Sequence, residues 1–237
     1  MPTIILAGRT PLASGSRRHV YLHPTDGDLL IKVIRHDTME KYYGRGRPWY
    51  KLTRRYRHLV SYLREVREQI ALRAQTEAHP ACLQKIVGFA DTDLGFGLVV
   101  EAAKDRHGRL APALPRLIEE GRFDAAVRAD LEACLNELLE SPVILADLHG
   151  ANLVYAWNET RGNHFVLIDG IGCKTLIPVN RMSRLVNHHS KRRLIDRLMA
   201  AVDRMLAQAA ATSEAARRAA RPPAVSSSAP PATTVSG

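Results

Sequence analysis

Residues 144–155 read "ILADLHGANLVY": two apolar runs flank a short polar centre holding Asp147, His149 and Asn152. Alone, the stretch fits a helix-to-strand turn with a capping aspartate. Its meaning depends on what stands on either side. Downstream, two strand-like runs, "NLVYAW" and "HFVLID", are joined by the polar turn "NETRGN" and end on Ile168, Asp169 and Gly170. A hairpin starting at Asn152 returns the chain to the same place, so Asp169 is expected beside it. Upstream, "DAAVRADLEACLNELLES" puts Val127, Leu131, Leu135, Leu138 and Leu139 on one helical face, with Asp124 placed to cap the start.

The first hundred residues read as sheet around one long helix. "TIILA", "HVYLHP" and "DLLIKVI" are short β-branched or aromatic runs separated by Gly, Ser, Pro and Asp. "LQKIVGFADTD" and "GFGLVVEAA" form a further hairpin, turning at Asp93, Leu94 and Gly95. Between them, residues 50–75 carry Leu59, Tyr62, Leu63, Val66, Ile70 and Leu72 at helical spacing, and Pro80 bars continuation. A polar crossing, "AKDRHGRLAPALP", leads into the second half, and a basic helix over 191–208 closes the expected ordered region. The expected organisation is residues 1–103 as a sheet-plus-helix lobe and 104–206 as a reduced, mostly helical lobe. Residues 207–237, rich in Ala, Pro and Ser, cannot bury enough surface to offset chain entropy and are expected to be a disordered tail.

Read in order, the polar residues acquire a common purpose. A glycine turn with Gly15 precedes a strand; "LLIK" follows with Lys32; a helix then carries Glu65 and Glu68; Asp147, Asn152 and Asp169 come last. These are the parts of a site for phosphoryl transfer from ATP. A glycine turn lets backbone N–H groups lie close over phosphates. A strand lysine holds phosphate oxygens, and a helix glutamate fixes its rotamer. Asp147 accepts the proton of an acceptor hydroxyl, while Asn152 and Asp169 are hard oxygen ligands for Mg²⁺. Taken singly, each residue has a plainer reading: a strand lysine usually snorkels to solvent, and a helix glutamate usually belongs to a solvated face.

The combination resembles the protein-kinase-like fold, and more closely the bacterial PhoP-regulatory-network YrbL-type family. The resemblance is carried by "PLASGSRRHVYLHP", "LLIKVI", "VREQIALRA", "VGFADTDLGFGLVVE", "LADLHGANLVY" and "FVLIDGIGCKTLIP", which span most of residues 11–178 in family order. It implies a two-lobed α+β fold with ATP between the lobes. It also implies a nucleotide-binding role for Gly15, Lys32 and Glu68, Asp147 as catalytic base, and Asn152 with Asp169 as magnesium ligands. Glu65 lies nearly one turn from Glu68, and spacing does not choose between them. The chain departs from ordinary kinases at several points. One glycine stands in the phosphate turn, followed by Arg17 and Arg18; Leu145 replaces a histidine; Gly170 directly follows Asp169 with no intervening Phe. The part after Asp169 is short for a peptide platform, and "DLHGAN" resembles small-molecule and lipopolysaccharide-core kinases. The expected acceptor is therefore a sugar, glycolipid or other small hydroxyl compound, in bacterial stress or envelope signalling.

Composition leaves two rival functions standing. Lys and Arg outnumber Asp and Glu by 34 to 24, a formal charge of +10 that favours anionic partners without choosing among them. A kinase-like binding or regulatory module without transfer satisfies the same motifs. Residues 44–64, "GRGRPWYKLTRRYRHLVSYLR", interleave basic and aromatic side chains and could contact RNA or an anionic surface, although the aromatics fit a helix core equally. Cys82, Cys134 and Cys173 form no CxxC pair, which disfavours disulfide frameworks and thiolate zinc sites. The opening apolar run is short for a signal peptide, and no stretch reaches the length of a membrane span. The expected location is the cytoplasm.

Overall fold

In a computed structural model, the described residues are 2–15, 17–38, 58–76, 79–172 and 183–219. The fold is α+β. Five strands, β1 (Ala13–Ser14), β2 (Arg18–Leu22), β3 (Leu29–Ile34), β4 (Ile86–Thr92) and β5 (Gly95–Glu101), form an antiparallel sheet in the order β1-β2-β3-β5-β4. Helix α1 (Val60–Gln75) lies between β3 and β4 in sequence and covers one sheet face. Strand alternation decides what meets it. Leu30 and Ile34 of β3 pack with Tyr62 of α1, whereas Ile31 and Val33 face the opposite side with Leu6 and Tyr21. Lys32, two residues from each of Leu30 and Ile34, therefore lies under α1.

The face that α1 turns inward differs from the apolar one expected. It buries Tyr62, Glu65, Glu68, Gln69 and Leu72, while Leu63 and Ile70 are 43% and 63% exposed. Helical spacing permits two overlapping faces, and the polar one wins because hydrogen-bond partners await it. Gln69 Nε2 donates to the Gln84 carbonyl (2.6 Å), and the Ile86 N–H donates to Gln69 Oε1 (3.1 Å), tying α1 to the start of β4. Tyr62 Oη donates to the Lys32 carbonyl (2.6 Å). The first run, "TIILA", also departs from expectation. Only Ile4 bridges the sheet, at Thr92, because the Leu6 and Ala7 amides donate to the Asp93 carboxylate at 2.7 and 2.9 Å instead of to a strand.

The second half contains α2 (Leu114–Glu119), α3 (Ala125–Glu140), a 3-10 turn (Gly150–Asn152), the hairpin β6 (Leu153–Asn158) and β7 (Gly162–Leu167), and α4 (Arg184–Ala219). Asp124 caps α3 as expected, accepting from the Val127 N–H at 2.9 Å. One core, including Leu131, Leu138, Leu153, Phe165, Leu198 and Val202, joins α3, the hairpin and α4. It extends to Leu72, Cys82 and Leu83 from the first half. There the Leu167 N–H donates to the Cys82 carbonyl (2.8 Å) and the Gln84 N–H to the Leu167 carbonyl (3.0 Å), fastening the segment before β4 onto β7.

Helix α4 begins earlier and runs further than its basic stretch suggested, past position 206 to Ala219. Its anchor is Lys191, 1% exposed, whose amine donates to the Leu138, Leu139 and Ser141 carbonyls at 2.8, 2.6 and 2.5 Å. Those carbonyls are orphans of the α3 C-terminus, where a cation also answers the helix dipole. Burial pushes the amine down to about 8. No described helix is long and apolar enough to cross a membrane. Positions 44–57 of the basic-aromatic stretch, Cys173 and residues 220–237 lie outside the described residues. Tyr62, the aromatic of that stretch that α1 carries, is a core residue at 1% exposure.

Candidate functional site

The site forms where the α1 face of the sheet meets the end of the β6–β7 hairpin. The ladder from Leu153–Leu167 continues by one step, with the Ile168 N–H donating to the Asn152 carbonyl at 2.9 Å. This brings Asn152 and Asp169 to one end of the hairpin. The loop before β6 is stitched to the same place: the Ala146 and Asp147 amides both donate to the Gly170 carbonyl, at 2.7 and 3.0 Å. Leu145, in the position of the missing histidine, is buried in the core and bridges Ile171.

Gly170 explains why no bulky residue separates Asp169 from the glycine. Its φ is +92°, and a Cβ there would lie 2.0 Å from the Asp147 carbonyl oxygen and 3.4 Å from Asn152 Nδ2. Only glycine permits that approach. Gly172 does the same one step on: φ is +88°, and its Cβ would meet the Arg64 carbonyl of α1 at 2.9 Å. Gly170 thus draws Asp147, Asn152 and Asp169 together, while Gly172 seats the following segment against α1.

Lys32 is 6% exposed and donates to Gln84 Oε1 and to the Ile168 carbonyl, both at 2.7 Å. Gln84 is held in turn by its Nε2, which donates to the Glu101 carbonyl at 2.8 Å. Burial pulls the lysine amine below its ordinary value; Glu65 and Asp169 oppose this, and the like charge of Arg18 adds to it. Glu65 is the acid that shares this environment. It lines, with Gln84, Ile168 and Asp169, a cavity of about 10 Å³ beside the lysine, room for roughly one water. Glu68 lies elsewhere. Its Oε1 accepts the buried Ile144 N–H at 2.7 Å, and it lines a separate cavity of about 660 Å³ bounded by Leu139, Pro142, Arg184 and Lys191. The expectation that Glu68 orients Lys32 is therefore corrected: α1 presents Glu65 to the site, and Glu68 ties the helix to the strand of chain before Asp147.

Gly15, expected to lie over phosphates, makes a hydrogen bond within its own turn. The Gly15 N–H donates to the Arg18 carbonyl at 2.9 Å, so that donor is already used. A Cβ at Gly15 would make only an ordinary 3.7 Å contact. What reaches into the site from this turn is Arg18. Its Nη2 pairs with Glu65 Oε1 and lies 3.5 Å from Asp169 Oδ1, and its guanidinium sits 5.3 Å above the Tyr62 ring. Strand register held the signal for it: Arg18 faces Ile34 and Val20 faces Lys32, so Arg18 shares the Lys32 face.

Asp169 is half-exposed, and the Gly170 N–H donates to its Oδ1 at 2.6 Å. Burial would raise its carboxyl, but Arg18 and Lys32 outweigh that and hold it below the ordinary carboxylate value. The donor set suits magnesium, which takes one or two carboxylate or amide oxygens and completes its shell with water and phosphates. Asn152 and Asp169 offer such a pair at one hairpin end. Among the described residues, no group of three His, Cys, Asp or Glu side chains suits an all-protein cage.

The architecture is α+β, with the candidate residues gathered where the sheet and α1 meet the β6–β7 hairpin. The chain belongs to the family described as PhoP regulatory network protein YrbL, whose pattern matches residues 4–203. It is 26% identical over 204 residues to protein YrbL of Escherichia coli (strain K12), covering 83% of this chain and 87% of that protein, and equally to its Shigella flexneri counterpart. A similar solved structure is the Mycobacterium tuberculosis PknI kinase domain, C20A_R136A double mutant. The TM-score is 0.38 at 17% identity, over 68% of this chain and 57% of that one.

Proposed function

We propose that the protein is a cytoplasmic, Mg²⁺- and ATP-dependent phosphotransferase acting on a small hydroxyl compound, such as a sugar or glycolipid. The observation that carries this reading is the meeting of Lys32, Glu65 and Asp169 with the Asp147–Asn152 loop, locked by Gly170. Phosphoryl transfer needs positioning and charge stabilisation more than covalent chemistry, and these residues supply both. Asn152 and Asp169 would hold magnesium, which neutralises phosphate charge when bound. Lys32, fixed by Gln84 and the Ile168 carbonyl, contributes a positive charge from below. Asp147 accepts the proton of the acceptor hydroxyl as the oxygen attacks phosphorus. The expectation of a small acceptor rests on the short chain between Asp169 and α4.

A binding module without transfer is favoured by one feature, the guanidinium of Arg18 standing beside Asp169. The readings separate by experiment. The wild type should bind ATP with Mg²⁺ in a thermal-shift titration and transfer ³²P from γ-labelled ATP to an acceptor in a sugar and glycolipid panel. Asp169→Ala should lose the metal-dependent shift, and Asp147→Ala should keep it while losing transfer. Binding with no product from any acceptor would leave the module; no binding would remove both.

A further inference from the structure

Two cations approach the candidate site, Lys32 and Arg18, and their hydrogen bonds divide the work between them unequally. Lys32 has two protein acceptors, Gln84 and the Ile168 carbonyl, and is sunk beneath α1. Arg18 enters from above, and one side of its guanidinium is engaged while the other is not. Nη2 serves Glu65 and Asp169, whereas Nη1 is buried with no hydrogen-bond partner among the described residues. A buried guanidinium donor without an acceptor is unusual, because its desolvation goes uncompensated.

The surroundings indicate which ligand would satisfy it. The Gly15 N–H, which a phosphate-cradling turn would leave free, is consumed by the Arg18 carbonyl. The turn therefore gives up that donor and delivers a side chain instead. The guanidinium is held in place by Tyr62, whose ring lies beneath it and whose hydroxyl is anchored on the Lys32 carbonyl. A fork of N–H donors, always charged and oriented by stacking, matches a phosphate.

We infer that Arg18 is a phosphate-binding residue for the nucleotide's β- and γ-phosphates, taking the place of a glycine-rich backbone cradle. In the nucleotide-free site it acts as counter-ion to Glu65 and Asp169. This rests on the ATP-binding reading above. Phosphate oxygens satisfy Nη1, which has no bond to surrender. The weak 3.5 Å contact to Asp169 is then the one lost, which leaves that carboxylate available as the nucleotide arrives. Glu65 keeps the guanidinium in register.

The test is isothermal titration of adenosine, ADP and ATP into the full chain, with and without Mg²⁺, for wild type, Arg18→Met and Arg18→Lys. The wild type should prefer ATP and ADP to adenosine. Arg18→Met should weaken ATP and ADP by about tenfold or more, the loss of one charged hydrogen bond, with adenosine unchanged. Arg18→Lys, which keeps charge and loses the fork, should fall between them, and it carries the test if Arg18→Met does not fold by circular dichroism. ATP binding that is unchanged or tighter in the variants would overturn the inference while sparing the ATP-binding reading. A wild type that binds neither ATP nor ADP would overturn that reading and this inference with it.

Discussion

Replacing Gly170 by alanine tests whether the Asp147 loop and Asp169 are held together as described. The new Cβ would lie 2.0 Å from the Asp147 carbonyl oxygen, against roughly 3.3–3.6 Å for a close carbon–oxygen contact. One side must therefore retreat by more than about 1 Å. That movement disrupts the two bonds from the Ala146 and Asp147 amides to the Gly170 carbonyl, now 2.7 and 3.0 Å. At about 0.5–1.5 kcal/mol net for each bond, and about 1–2 kcal/mol for a non-glycine residue at positive φ, the expected loss is about 2–5 kcal/mol. For a chain of this size the melting temperature should fall by about 10 °C. Displacing a loop of the candidate site by about 1 Å can also cost about 10²-fold in rate, so the proposed transfer activity should suffer even where the fold survives. Thermal unfolding by circular dichroism and Mg²⁺·ATP titration give the two readouts. Gly15→Ala is the matched control, since its Cβ meets nothing closer than 3.7 Å and its φ is not positive. A Gly170→Ala protein that melts within about 2 °C of wild type, as Gly15→Ala should, would refute the close approach on which the site is built.

Glu68→Leu should destabilise by about 1–3 kcal/mol in urea titration, since it leaves the buried Ile144 N–H without its carboxylate acceptor. An unchanged midpoint would return Glu68 to other duties. Lys191→Met removes the donor to three carbonyls at the end of α3 and should cost about 3 kcal/mol, read as a loss of about 6–12 °C in melting temperature. Asp169 has a sign-definite acid dependence. Burial opposes its ionisation, but Arg18 and Lys32 hold its folded value below the unfolded one. Its contribution is therefore fully present above about pH 4 and is lost as pH falls through the lowered folded value. Asp169→Asn should flatten the stability slope of urea midpoints measured below about pH 4, and an unaltered slope would show that the pairing is absent.

Much of the architecture was legible because it follows from local periodicity. The two-residue repeat of β3 places Lys32 with Leu30 and Ile34. The spacing of Val127, Leu131, Leu135 and Leu138, with Asp124 before it, defines α3 and its cap. The order Asp147, Asn152, Asp169, Gly170 anticipates a loop and hairpin that close on one another, as they do. Such patterns state which residues share a face.

They do not state which of two overlapping faces turns inward, nor which partner from a distant part of the chain arrives there. Glu65 and Glu68 are nearly equivalent on the helix, and only the packed molecule sets Glu65 beside Asp169 and Glu68 against Ile144. Leu63 and Ile70 were expected inside, yet the Ile86 N–H and the Gln84 carbonyl drew Gln69 inward instead. The bond from the Gly15 N–H to the Arg18 carbonyl could not be read from the sequence, and Arg18 took on significance only once Tyr62, Glu65 and Asp169 surrounded it. The physical reason is the same throughout. A helix or strand period is a property of neighbours in sequence, whereas the cost of burying a charge or an amide is decided by groups far away along the chain. The order of the site's parts belongs to the sequence, and the pairing among them belongs to the tertiary structure.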